Sequence, residues 1–152
     1  MHTRTATKKD IPVLSELYTL FYSYNALLQP EDCVAAKESG EYPEWILNQP
    51  LHTLFLVESE NKVIGFIHLE IAETPNYPSV AAHTFGQIID LFVLENYRRK
   101  GVGKQLIAAA KQWKVSKDLD FLELQVLGNN SQAIDFYQKM GLNVDRIILR
   151  SE

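Results

Sequence analysis

From Arg98 to Lys104 the sequence reads Arg-Arg-Lys-Gly-Val-Gly-Lys, four cations within seven positions of a chain whose formal charge is -4. Such a cluster suits a polyanionic ligand such as a pyrophosphate. The run separates the apolar stretch Gln87 to Leu94 from an amphipathic stretch that begins near Gly101. A strand, loop and helix in that order would aim unpaired backbone N–H groups and the positive end of a helix dipole at an anion. Gly101 and Gly103 would let the backbone approach without a Cβ in the way. The plainer alternative is a solvated basic turn, and the coincidence of strand, loop and helix favours the phosphate site. Two common nucleotide loops fail here. A Walker A loop needs Ser or Thr after Gly103-Lys104, where Gln105 stands, and a glycine where Arg98 stands; a Rossmann fingerprint needs a glycine where Leu106 stands.

Acid–base chemistry has several candidates. Asp90 places a carboxylate inside the apolar run Ile88 to Val93, which is costly unless the group is paired. It suits either a bound cationic amine or internal hydroxyl and backbone donors. His68 and Glu70 share one strand face, as do Glu123 and Gln125, and His83 lies in a long loop; each either lines a binding site or is an ordinary solvated or hydrogen-bonded residue. The four His residues lack the spacing of a zinc site, so no metal is expected. Cys33 has no Cys-His motif around it, lies in an acidic segment expected to be helical, and reads as a structural thiol.

The elements that must hold these residues alternate along the chain. Thr3 to Ala6 reads as a first strand, and Asp10 as the cap of a helix with Pro12 in its first turn, Leu14, Leu17, Tyr18 and Phe21 on one stripe, and an end near Tyr24. Pro30 to Asn48 predicts one or two short helices. Leu51 to Glu58 and Val63 to Ile71 predict a hairpin around Ser59 to Lys62. A loop from Ala72 to about His83 follows, then a strand over Gln87 to Leu94 covered on both faces. The helix after Gly101 carries Val102, Leu106, Ala109 and Trp113 inward. Phe121 to Leu127 reads as a strand, Asn129 to Ser131 as turn and cap, the next segment as a helix ending at Gly141, and Asn143 to Leu149 as the last strand. The fold class is α/β with a mixed sheet and helices on both faces, in one domain over residues 1–152.

Two segments carry a resemblance. Val93 to Gly103, with its Arg98-Arg99-Lys100-Gly101-Val102-Gly103, resembles the coenzyme A loop of the GNAT N-acetyltransferases. Asn130 to Leu142, reading Asn-Ser-Gln-Ala-Ile-Asp-Phe-Tyr-Gln-Lys-Met-Gly-Leu, resembles that family's second motif. Lys62 to Phe66 matches a frequent third-strand pattern of the same family. The resemblance implies the GNAT fold, with a mostly antiparallel sheet, and acetyl-coenzyme A as co-substrate. It implies that the amides of Arg99, Lys100, Gly101, Val102, Gly103 and Lys104 hold the pyrophosphate beside Arg98, while Leu91, Phe92 and Val93 pair with the pantetheine arm. Val93 N–H would be the oxyanion donor, Asn130 a coenzyme ligand and Tyr137 the general acid. Asp90 resembles a polyamine-contacting Asp of spermidine/spermine N-acetyltransferases. Leu142 replaces a Phe of the motif, and Gln125 stands where some relatives carry a catalytic Glu.

The implied reaction is direct acetyl transfer to a primary amine, most simply on a small-molecule or polyamine-like acceptor. Acetylation of a protein N-terminus or lysine, and a silent acyl-coenzyme A sensor, are the alternatives. Acidic balance argues against nucleic acid as a partner, and 46% apolar with 22% charged residues is an ordinary composition with no membrane-spanning segment. One cysteine and a polar N-terminus suggest a cytoplasmic protein. No seventh strand is evident before Glu152, which leaves room for a homodimer that supplies one.

Overall fold

The computed structural model describes residues 1–152, and in it five strands make one sheet in the order β1-β2-β3-β4-β5. These are β1 (His2–Thr5), β2 (His52–Ser59), β3 (Lys62–Glu73), β4 (Thr84–Val93) and β5 (Leu122–Leu124). Neighbours pair antiparallel except β4 with β5, which run parallel. The β2–β3 hairpin turns through Glu60 and Asn61, with φ of 51° and 61°. Two left-handed residues in a two-residue loop match the twist of the flanking strands.

Helices α1 (Ile11–Leu28) and α2 (Glu41–Asn48) lie on one face, and α3 (Val102–Ser116) and α4 (Ser131–Lys139) on the other. Leu14, Leu17, Tyr18 and Ile46 pack with Leu54, Leu56, Phe66 and Phe92. Leu106, Ile107, Ala110 and Trp113 pack with Val57, Ile67, Leu69 and Ile88. Strand residues alternate between these two cores, so the sheet is a shared wall; each large apolar side chain withdrawn fully from water contributes roughly 1.5 to 3 kcal/mol. The mixed α/β sheet with helices on both faces is as expected.

Several expectations are corrected. Helix α1 runs four residues past Tyr24, to Leu28. Between Pro30 and Asn48 one helix forms, within the expectation of one or two, but Cys33 sits in an irregular stretch and not in a helix. There the Glu38 carboxylate accepts from the amides of Gly40 and Tyr42 and from the Tyr22 hydroxyl, giving the backbone an anchor other than a helix. Asp10 does not cap α1 through its side chain; its carboxylate accepts from both terminal nitrogens of Arg4, at 2.8 and 2.7 Å, and from the Thr7 amide. The inward stripe of α3 holds Val102, Leu106 and Trp113 as expected, with Ile107 and Ala110 buried beside them in place of Ala109. Strand β4 is covered on both faces as expected, Ile88 and Val93 entering one core and Phe92 the other, and from Gln87 to Leu94 only the bulged Ile89 is exposed. Strand β5 has three residues instead of seven, and Asn143 to Leu149 forms no strand at all.

Candidate functional site

Gly101 caps α3 with φ of 85°, a left-handed conformation that glycine adopts without the penalty of a Cβ. The helix's first-turn amides, those of Val102, Gly103 and Lys104, donate to no other protein group. They form an anion-ready end of the kind expected from the sequence. Gly103 serves packing instead: a Cβ there would lie 3.1 Å from Cζ of Phe136, so its absence lets α4 rest against the first turn of α3. That contact brings the Asn130 to Leu142 motif to the Arg98 to Lys104 loop.

The four cations divide. Arg98 turns back, donating from Nε to the Val93 carbonyl at 2.9 Å and stacking 4.3 Å over the Tyr24 ring. Lys100 donates to the Asn96 carbonyl. Arg99, itself at φ 63°, and Lys104 are exposed and carry no such tie. Arg98 and Lys100 therefore brace the loop, and Arg99 and Lys104 are the cations left for an anion.

Strand β4 pairs with β5 only from Gly86 to Ile88, then bulges at Ile89 and leaves its edge without a strand partner. The Leu94 amide donates to the Ile64 carbonyl across the sheet. In an antiparallel pair the hydrogen-bonded and non-bonded positions alternate, so Leu91 and Val93 direct N–H and C=O away from β3. Phe92 is the exception in the expected trio, because its own polar groups belong to the β3 ladder. An extended ligand laid along this edge would find the Leu91 groups and the Val93 N–H.

On the α1/α2 side of the same strand lies a buried polar network. The Asp90 carboxylate accepts from the Tyr18 hydroxyl at 3.1 Å and lies 3.4 Å from Nδ1 of His68. His68 is 1% exposed, and its Nε2 meets Nδ1 of His52 at 2.9 Å. Nε2 of His52 lies 3.6 Å from the Glu70 carboxylate, which reaches solvent. Tyr42 hangs above, its hydroxyl 3.5 Å from Nδ1 of His68, and Trp45 stands edge-on to His52 with ring centroids 5.0 Å apart.

Burial, then the negative charge of Asp90, pushes the Tyr18 hydroxyl well above its ordinary range. The same two causes raise Tyr42 to about 12. Both stay protonated at neutral pH, so Tyr18 is a permanent donor to Asp90. Burial, and then the neighbouring His68, lowers His52 against the opposing pull of Glu70.

Tyr137 is half-buried against the α3-side core and its hydroxyl bonds to no protein group. Burial raises its pKa, which keeps it a phenol and hence a proton donor. Asn130 caps α4 by accepting from the Ala133 amide at 3.2 Å, which commits its oxygen and leaves its NH₂ available. Gln125 is exposed just beyond β5, Glu123 faces Arg146, and His83 pairs with Asp120 at the surface; none joins the network. Sequence reasoning treated Tyr18 as core and passed over Tyr42 and His52. Two bulges decide which face these residues share, with Ile64 extra in β3 and Ile89 extra in β4, and a one-residue slip reverses every side chain beyond it.

Residues 13–142 match the acetyltransferase (GNAT) family. L-ornithine N5-acetyltransferase NATA1 of Arabidopsis thaliana is 37% identical over 100 residues, which is 64% of this chain and 42% of that protein. The chain thus spans less than half of that relative's length. The tetramutant of the BH1408 protein from Bacillus halodurans superposes with a TM-score of 0.92 at 20% identity, covering 100% of this chain and 99% of that one. AAC(6')-Iy in complex with the bisubstrate analog CoA-S-monomethyl-acetylneamine superposes at 0.77 with 21% identity, covering 99% and 98%. At these identities the two structures establish likeness of fold. No helix is long and apolar enough to cross a membrane.

Proposed function

Since this chain belongs to the acetyltransferase (GNAT) family, we propose that it moves the acetyl group of acetyl-coenzyme A directly to the primary amine of a small, cationic, polyamine-like acceptor. The observation that carries the reading is the Asp90 carboxylate, oriented by Tyr18 and placed on β4 three residues before the edge amide of Val93. An ammonium docked on Asp90 would be held by charge and hydrogen bond together. The coenzyme supplies an activated acetyl thioester. The Val93 N–H donates to the carbonyl oxygen as negative charge develops there, and the first-turn amides of α3 with Arg99 and Lys104 hold the phosphates. The Tyr137 hydroxyl delivers a proton to the departing sulfur. The Asn130 NH₂ and the Leu91 backbone keep the coenzyme in register.

The name of the Arabidopsis relative, which acts on the side-chain amine of ornithine, supports a small amino acceptor over a protein one. We take the enzyme to be cytoplasmic, in keeping with its one free thiol, Cys33. We also take it to work as a homodimer.

Free-thiol release from acetyl-coenzyme A, followed across diamines, polyamines, amino acids and N-terminal peptides, tests the assignment. Turnover is expected with the cationic small amines, and Asp90→Asn should raise the acceptor KM much more than the acetyl-coenzyme A KM. Preference for peptides would transfer the assignment to protein acetylation, and binding of the coenzyme without turnover on any amine would make the chain a sensor. Circular dichroism on Asp90→Asn separates lost recognition from lost folding, because Tyr18 and His68 also lean on this carboxylate.

A further inference from the structure

We propose that His68 and His52 form a proton relay that carries the proton released by the acceptor amine from Asp90 to the surface at Glu70. The inference rests on the amine-transfer reading and names the base which that reading lacks. An alkyl ammonium of pKa about 10 must lose a proton before its nitrogen can attack a carbonyl carbon. Counting protons along the array shows why it accepts one. Asp90, His68, His52 and Glu70 define three successive gaps, of 3.4, 2.9 and 3.6 Å. Two neutral imidazoles hold two N–H protons, so one of the three gaps always lacks a hydrogen. When both hydrogens sit on Nε2 the empty gap is the one at Asp90. A proton arriving there fills it, a shift of each N–H to the next partner returns a proton at Glu70, and reorientation of the two rings restores the starting tautomers.

The balance is complete without another reactant. One ammonium N–H bond breaks and its proton enters the array. The nitrogen pair forms the bond to the acetyl carbon, and the carbon–sulfur bond breaks with its pair on sulfur, which takes the Tyr137 proton. The second N–H proton, lost as the amide forms, restores that phenol, so that one amide, one thiol and one released proton result. The two outer gaps are long for hydrogen bonds, but both end on carboxylates, whose terminal torsions are broad. The middle of the array is sealed, with His68 1% exposed, while the side chains at its two ends, Asp90 and Glu70, are 16% and 33% exposed. Every packed element contributes its titratable groups: Tyr18 and Tyr22 from α1, Tyr42 from α2, Glu38 from the segment before it, His52 from β2, Glu70 from β3 and Asp90 from β4. The three tyrosines are all raised, so they solvate the array and add no competing charge.

His68 acts through Asp90, so it is a positioning residue, and loss of rate alone would not identify its task. Acceptors that differ in basicity provide the readout. An α-amine of pKa about 8 and a side-chain amine of pKa about 10.4 are compared at a pH just above the lower value. His68→Gln should slow the more basic amine by roughly 10²-fold and the largely deprotonated one far less. Equal losses for both, or no loss, would overturn the relay. If His68→Gln does not fold, His52→Asn nearer the surface carries the same comparison. If the unaltered enzyme acetylates neither amine, the transfer reading itself fails. The relay is then judged by imidazole nitrogen resonances, which need no turnover: one coupled titration of His52 and His68, altered by Asp90→Asn, supports it, and two independent titrations refute it.

Discussion

A phenol in the middle of an apolar stripe needs a reason to be a phenol. Tyr137 sits between Phe136 and Met140 in packing terms, yet its hydroxyl has no protein partner and its pKa is raised by burial. Both facts suit a group that keeps its proton until a stronger base, a departing thiolate, appears beside it. Tyr137→Phe removes only the hydroxyl, so coenzyme affinity and folding should be unchanged while kcat falls by about 10²- to 10⁴-fold. Pre-steady-state measurement of the chemical step is the check, and an unchanged rate there would return Tyr137 to the core. The proposed roles of Tyr137, Val93, Asn130 and the loop from Arg98 to Lys104 come from the sequence because the motifs that suggest them are local. Those of Tyr18, Tyr42 and His52 do not, because their meeting with His68 and Asp90 depends on strand register, and register depends on bulges that no local pattern announces.

At the scale of elements, the start of α3 is where conformation and charge coincide. Gly101 is left-handed at φ 85°, with open space where a Cβ would project. An alanine there meets no clash but should cost roughly 1 to 2 kcal/mol of backbone strain. A glutamate carries the same strain and adds a negative charge at the helix's positive end, where the ligand's phosphates compete. Titration calorimetry on the pair separates the two effects: Gly101→Ala should weaken coenzyme A binding modestly, and Gly101→Glu should abolish it. Similar affinities for both would mean that strain alone governs this turn and that the phosphates lie elsewhere. The helices and the hairpin are read well from periodicity, since each carries its own hydrogen bonds or its own turn. The strand over Phe121 to Leu127 is overestimated because strand formation needs a neighbour, and β4 turns away after Ile88.

For the whole molecule, the same reasoning explains the missing last strand and gives it a use. Val144, Ile147, Ile148 and Leu149 are 63, 77, 79 and 90% exposed, a β-prone run laid out in water. Its own chain holds it only by surface ion pairs, Arg146 with Glu123 at 4.0 Å and Arg150 with Asp32 at 3.1 Å, which contribute little. Meanwhile β5 ends the sheet with one edge unpaired. A contiguous apolar strip and an open edge in one molecule are complementary, and each is a liability unless covered. A second copy would supply both at once, each copy's segment from Asn143 to Arg150 adding to the partner's β5 edge. Sedimentation at micromolar concentration should therefore give a dimer. Ile148→Asp, placing a charge in the strip far from the coenzyme loop in sequence, should give a folded monomer by circular dichroism. Truncation after Leu142, which keeps that residue's contact with the α3-side core, should do the same. A monomeric unaltered protein, or a dimer indifferent to both changes, would mean that this segment has another partner. Because β5 borders the opening beside β4, loss of the dimer should also lower the acetyl transfer proposed for this chain.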